Sequence, residues 1–280
     1  MPAIPRLRPL SLSELLDRTF SLYRNHFGLF VGIMLLPQLV LLVFQLAGVV
    51  VAPLNRGASA GSMLIYSGWM MLAALLTVLL AAASTAATIS AVSAVYLDRP
   101  ITVSAAYREI SSRIVPVMLI TIAVGMGIGI GLVLLIVPGI IFALMWSLTI
   151  PVVVLEKKGL GEATARSRQL TKGSRGRIFI VCFVIGILAW VVKMLFQVPA
   201  LSLLGVSIFH GQNPAFSGWY RVAAACSQFF SACLVGPLFT IALSLLYFDE
   251  RVRKEGFDLQ VMMSSMEGAL GDSASATAAQ

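Results

Sequence analysis

Residues 114–155 read IVPVMLITIAVGMGIGIGLVLLIVPGIIFALMWSLTIPVVVL, a block without one charged side chain. A helix rises about 1.5 Å per residue and the hydrocarbon core of a bilayer is about 30 Å thick, so one span uses about 20 residues. The block is too long for one span and long enough for two. Val137-Pro138-Gly139 is its only turn signal. It reads as a tight hairpin of two spanning helices, 114–136 and 140–155.

Outward from this hairpin, four more apolar stretches have the length of a span: 27–51, 63–96, 178–197 (with Pro199 beyond it) and 219–248. The whole chain of 280 residues is 59% hydrophobic and 11% charged. Soluble domains carry roughly 45–50% apolar and about 25% charged residues. An ordinary soluble enzyme, a disordered protein and a coiled coil are thereby excluded. The expected fold class is all-α: a polytopic membrane helical bundle, 1–260, with six transmembrane helices and short interfacial amphipathic helices. An Ala/Ser-rich tail, 261–280, is expected to be disordered and cytoplasmic. Residues 1–26 carry Arg6, Arg8, Glu14, Asp17, Arg18 and Arg24 without an apolar core, so they do not read as a signal peptide. Cys182, Cys226 and Cys233 all lie in apolar runs and suggest no disulfide framework.

Six spans put seventeen of the twenty basic residues on one side, in 1–26, 97–113, 156–177 and 249–280. Arg56 and Arg221 fall on the other side, and Lys193 lies within a span. By the positive-inside rule the N- and C-termini are cytoplasmic. The formal net charge of +8 then reads as loops facing anionic lipid, with no nucleic acid implied. Trp219 and Tyr220 at one end of the last span, with Tyr247 and Phe248 at the other, fit interfacial aromatic belts.

A short amphipathic stretch precedes the first, third and fifth spans. In the first, Leu12, Leu15, Leu16, Phe20 and Tyr23 recur at helical spacing. In the second, Val103, Ala106, Tyr107 and Ile110 do so. In the third, Leu160, Ala163 and Thr164 form a weaker face. Such helices suit the interface, with apolar sides toward the acyl chains. The unit of interfacial helix, span, outer turn and span would occur three times.

Four passages resemble one family. They are Leu12 to Arg24 (LSELLDRTFSLYR), Val137-Pro138-Gly139-Ile140 through Trp146 to Glu156, Leu160-Gly161-Glu162-Ala163 through Arg166-Ser167 to Gly173, and Tyr247 to Leu259 (YFDERVRKEGFDL). The family is the membrane domain found fused to some bacterial glycerophosphodiester phosphodiesterases, and also as stand-alone membrane proteins. The resemblance implies a multi-pass protein of the bacterial cytoplasmic (inner) membrane. It does not carry the phosphodiesterase activity, which in the fused proteins belongs to a separate soluble barrel.

Candidate sites are few. Lys193 sits in the outer third of its span with Gln197 on the same face. The pair reads either as an anion or head-group contact inside the bundle or as an outward-snorkelling lysine. No Asp or Glu lies in a span interior, which argues against a transporter working through an intramembrane carboxylate. Lys157, Lys158, Arg166, Arg168, Lys172, Arg175 and Arg177 read as topological charges or as an anionic-lipid contact. Gly125, Gly127, Gly129 and Gly131 give two small-xxx-small spacings for close helix packing, and Ala83, Ala87 and Ala91 a second seam. The alternating charges of 249–255 are expected to pair with the basic loop and close the bundle. His26 and His210 have no acidic cluster, and no catalytic constellation, metal set or cofactor motif is visible. The expected function is a non-catalytic, lipid-contacting or scaffolding module. Its partners would be the bilayer, anionic lipids and a membrane or envelope protein. The alternative is a small permease or lipid transporter, with a cavity lined by span two, span three and Lys193.

Overall fold

The structure, a computed structural model, describes residues 10–51, 59–209 and 214–255. Arg56, the last four residues of the closing motif and the predicted tail 261–280 lie outside the described residues. Every regular element among the described residues is a helix, and six helical stretches are long and apolar enough to cross a membrane. The chain is a multi-pass membrane protein.

The helices fall into three successive units. The first holds α1 (Leu12–Asn25), α2 (Phe27–Val51) and α3 (Ala60–Tyr96). The second holds α4 (Val103–Ile110), α5 (Ile114–Leu134), α6 (Ile136–Trp146) and α7 (Thr149–Glu156), the last two forming one interrupted span. The third holds α8 (Leu160–Thr171), α9 (Arg175–Phe209) and α10 (Pro214–Glu255). The order of short helix, span and returning span thus occurs three times.

The last helix is the centre of the bundle. Of its most apolar window, 61% is buried, against 17–33% for the other five spans. At about 1.5 Å per residue its 42 residues extend about 63 Å, so it outreaches the hydrocarbon. Ile241, Leu245, Leu246 and Tyr247 on α10 are fully buried, together with Phe30, Ile33, Ile89 and Ile185 from its neighbours. The alanine seam of α3 is enclosed as expected, with Ala83, Ala87 and Ala91 all buried. Apolar side chains such as Met71 (75% exposed) and Val133 (88%) form the outer belt, where acyl chains, not water, are the solvent.

Inside such a solvent every backbone polar group needs a partner, and this requirement seats the short helices. Pro37 has no N–H to give the Ile33 carbonyl, its partner one turn earlier. The Tyr107 hydroxyl on α4 donates to that oxygen at 2.6 Å. On α10 Pro237 has no N–H to give the Cys233 carbonyl, and the Tyr23 hydroxyl on α1 donates to the adjacent carbonyl, Leu234 O, at 2.6 Å. In the second unit Pro151 cannot donate to the Ser147 carbonyl, and the helix breaks at Ser147–Leu148. There the Ser167 and Thr171 hydroxyls on α8 donate to Met145 O at 2.8 and 3.4 Å.

The structure revises four expectations. The short helices turn apolar faces to the bundle, burying Leu15 on α1, Ala106 and Ile110 on α4, and Ala163 and Leu170 on α8. The hairpin turns at Leu135, in extended backbone, while Val137-Pro138-Gly139 occupies the first turn of α6, where the N–H that Pro138 lacks is one the helix does not use. A Cβ on Gly139 would lie 2.6 Å from Leu132 N, so glycine permits the tight return. Pro199 does not end the fifth span, because α9 continues through it to Phe209. Tyr247 (0% exposed) and Phe248 (3%) belong to no interfacial belt: Tyr247 bonds Glu156, and Phe248 stacks on Tyr96 at 4.8 Å.

Candidate functional site

The charged residues gather where the short helices, the start of α9 and the end of α10 meet, here the basic end. Asp249 has a side chain 0% exposed and anchors the first cluster. It accepts from the Leu10 backbone N–H at 2.6 Å, from Arg177 Nη1 at 2.5 Å and from Arg253 Nε at 2.9 Å. The same two guanidinium groups also donate to Leu10 O, at 2.7 and 2.5 Å. A buried carboxylate needs such full compensation. The cluster fastens the start of the first unit to α9 and α10 of the third.

A second cluster joins the second and third units. Glu156, at the end of α7, accepts from Tyr247 at 2.9 Å and pairs with Lys158 at 2.8 Å and Arg166 at 3.2 Å. Arg166 also pairs with Glu255. Burial works to lower the Arg166 pKa, and the bonds to Glu255 and Glu156 more than offset it, so the net shift is upward. Lys254 Nζ caps the end of α8, donating to the carbonyls of Gln169, Leu170 and Lys172 at 2.6–3.2 Å, with Glu250 at 3.6 Å. The closing motif thus pairs with the basic loop as the alternation of its charges suggests.

The seven basic residues singled out from sequence therefore divide. Lys158, Arg166 and Arg177 are held in these internal pairs. Arg168, Lys172 and Arg175 surround an open hollow at the α8–α9 corner with Gly173 and Gly176. They stand beside Phe179, Ile180 and Phe183, which are 42–54% exposed on the flank of α9. Lys157 belongs elsewhere, on a cavity of about 550 Å³ between α3, α4, α5 and α7.

Local backbone geometry builds this cavity. α3 ends with Asp98 in the left-handed region (φ 53°), Asp98 N–H on Val95 O at 3.2 Å and Arg99 N–H on Ala94 O at 2.8 Å. This helix-terminating turn reverses the chain and brings Arg99 to the cavity wall. Lys157, also left-handed (φ 59°), turns the chain out of α7 onto the opposite wall. Arg108 on α4 and Arg113 in the turn before α5 complete a set of four cations. Glu109 is the carboxylate in the lining, and it accepts from the Ser90 hydroxyl on α3. From sequence, Arg99, Arg108 and Arg113 read only as loop charge, whereas Lys157 is among the anionic-lipid candidates. The signal available was that 97–113 and Lys157 flank the buried hydroxylated half of α3.

Lys193 and Gln197 part company. Lys193 is exposed on the outside of α9. Gln197 lines a cavity of about 410 Å³ at the opposite end, among Gln45, Tyr66, Trp69, Arg221 and Gln228. The glycine spacings also split: Gly127 and Gly131 face Trp146 and Phe142 on α6, while a Cβ at Gly125 or Gly129 would meet no described residue of a neighbouring element within 4 Å.

No curated protein and no solved structure matches the chain. One family model does, that of the membrane domain of glycerophosphoryl diester phosphodiesterase, over residues 114–256. The match runs from the first turn of α5 past the end of α10, taking in the hairpin, α8 and the motif that locks the basic end. Since it covers just over half of the chain, the protein belongs to the family of glycerophosphoryl diester phosphodiesterase membrane domains.

Proposed function

We propose that the protein is a non-catalytic, lipid-contacting module of the bacterial inner membrane, with its basic end and both termini on the cytoplasmic side. The observation that carries this reading is the division of the cations. After Arg166, Arg177, Arg253 and Lys254 are engaged internally, Arg168, Lys172 and Arg175 remain around the open corner of α8 and α9. That corner adjoins exposed Phe179, Ile180 and Phe183, which suits a site where headgroups meet acyl chains. Each basic group near an anionic surface contributes roughly 1 kcal/mol. Reconstitution into nanodiscs of mixed phosphatidylglycerol and phosphatidylcholine tests it. Phosphatidylglycerol is expected to enrich around the protein at low salt and less so at high salt, and the Arg168→Gln/Lys172→Gln/Arg175→Gln variant should lose the enrichment. Equal enrichment in parent and variant would defeat the reading. Reporter fusions within 157–177 check the orientation.

A second reading, a small permease or lipid transporter, is supported by the interrupted α6–α7 span, by the polar cavity at the basic end and by a mostly apolar cavity at the other end of the bundle. Interrupted helices line substrate sites in many transporters. The outward placement of Lys193 removes that residue from such a path. Substrate uptake by proteoliposomes that is insensitive to Lys193→Ala would favour this reading.

A further inference from the structure

The cavity between α3, α4, α5 and α7 differs in kind from the open corner. It is larger, about 550 Å³, and lies between the first and second units. Arg99, Arg108 and Lys157 are exposed and Arg113 is half-buried. None of the four forms a salt bridge with a described residue; Arg113 Nη1 instead lies 3.5 Å from Lys157 O. Against them stands Glu109, already bonded to Ser90. Four unneutralised cations and one carboxylate leave a formal excess of about three positive charges in one hollow, which attracts a multiply charged or multidentate anion.

The kinds of side chain narrow the choice. Three are arginines, whose planar donor forks match phosphate oxygens two at a time. A single carboxylate would occupy one of these forks and leave two idle. Ser93 and Ser112 add hydroxyls to the lining. The volume exceeds that of a bare phosphate. Deeper walls are apolar, from Ile110, Val117, Val154 and Leu155. The occupant therefore has an anionic head and a larger, partly apolar remainder.

We propose that this cavity binds a phosphate ester of net negative charge, its phosphate held by Arg99, Arg108, Arg113 and Lys157. A phospholipid entering from the bilayer and a soluble phosphate ester both present that group. The assignment rests on the lipid-contacting reading only for the choice of the bilayer as source; the site itself stands on the cavity.

Delipidated full-length protein in a neutral detergent tests it, with native mass spectrometry counting bound lipid and thermal denaturation reporting soluble ligand. With phosphatidylglycerol as probe, the parent is expected to hold one lipid per chain, with phosphatidylcholine at least tenfold weaker. Arg99→Gln/Arg108→Gln should weaken phosphatidylglycerol at least tenfold. Both side chains are exposed and form no salt bridge with a described residue, so elution profile and melting temperature should stay at parental values. If that variant does not fold, Lys157→Gln is measured in its place. Arg168→Gln/Lys172→Gln/Arg175→Gln should keep the bound lipid. In the second arm, glycerol 3-phosphate raises the melting temperature of the parent and not of the cavity variant if the source is soluble. A response in either arm that the cavity variant abolishes supports the site and names its source. Silence in both arms, equal binding of phosphatidylcholine, or lipid binding lost only in the corner variant would overturn it. The last result would leave the corner reading standing, so the two failures are distinguishable.

Discussion

Single hydroxyl groups hold the short helices to the spans. Tyr107 completes the hydrogen bonding of Ile33, which Pro37 leaves short. Tyr107→Phe should therefore destabilise the protein by about 1–2 kcal/mol. Pro37→Ala restores the missing N–H, so in that background the same change should cost less than about 0.5 kcal/mol. Denaturation of the four proteins of this cycle measures the coupling; equal costs in both backgrounds would contradict it. Tyr23 donates to Leu234 O on α10, and burial, with a smaller contribution from nearby Cys233, pushes its pKa up to about 12. The raised value means that the folded state favours the neutral phenol. This contribution is fully present below the unfolded value of about 10 and is lost as pH rises toward 12. Between those limits the parent should lose stability more steeply than Tyr23→Phe, as melting temperatures in buffered detergent would show.

Among elements, the α5–α6 hairpin shows how one composition conceals two roles. Gly127 approaches Trp146 so closely that a Cβ would lie 2.6 Å from the ring, and one on Gly139 would collide with the Leu132 backbone. Alanine at either position should cost about 1–3 kcal/mol through overpacking. At Gly125 and Gly129, where a Cβ would meet no described residue of a neighbouring element within 4 Å, alanine should be neutral or stabilise by up to about 1 kcal/mol through helix propensity. Melting temperatures of the four single variants decide this, and uniform behaviour would refute the split. The α6–α7 break has a different origin, the prolyl nitrogen of Pro151, and is sealed by α8 rather than by its own unit.

At the scale of the molecule, three junctions link the units into a ring at the basic end. Ser90 and Glu109 join the first to the second, Glu156 with Arg166 and Tyr247 joins the second to the third, and Asp249 with Arg177, Arg253 and Leu10 joins the third to the first. Asp249 is the most buried of these carboxylates. Asp249→Asn removes a charge that neutralises two guanidinium groups and should destabilise by about 3–5 kcal/mol. Limited trypsin digestion should then cut at Arg18 or Arg24 in α1 faster than in the parent, where α1 is held in the bundle. Glu162→Gln, on the exposed side of α8, should leave both stability and digestion unchanged. Resistance of the Asp249 variant equal to the parent's would mean that the ring does not depend on this closure.

Composition and hydropathy alone determined the solvent, the helical class, the six crossings and the segments in which the charges collect, and they suggested the threefold order of short helix and two spans that the structure displays. Those properties follow because transfer from water to hydrocarbon accumulates residue by residue along the chain. The tight return at Leu135, the inward faces of α1, α4 and α8, and the separation of paired from open cations came only with the tertiary structure. Their physical cause is partnership between distant groups. Asp249 meets Leu10 across 239 residues and Tyr107 meets Ile33 across 74. A basic residue in a loop has the same hydropathy whether a buried carboxylate neutralises it or it faces a cavity, so only the packing of the three units could tell Arg177 from Arg108.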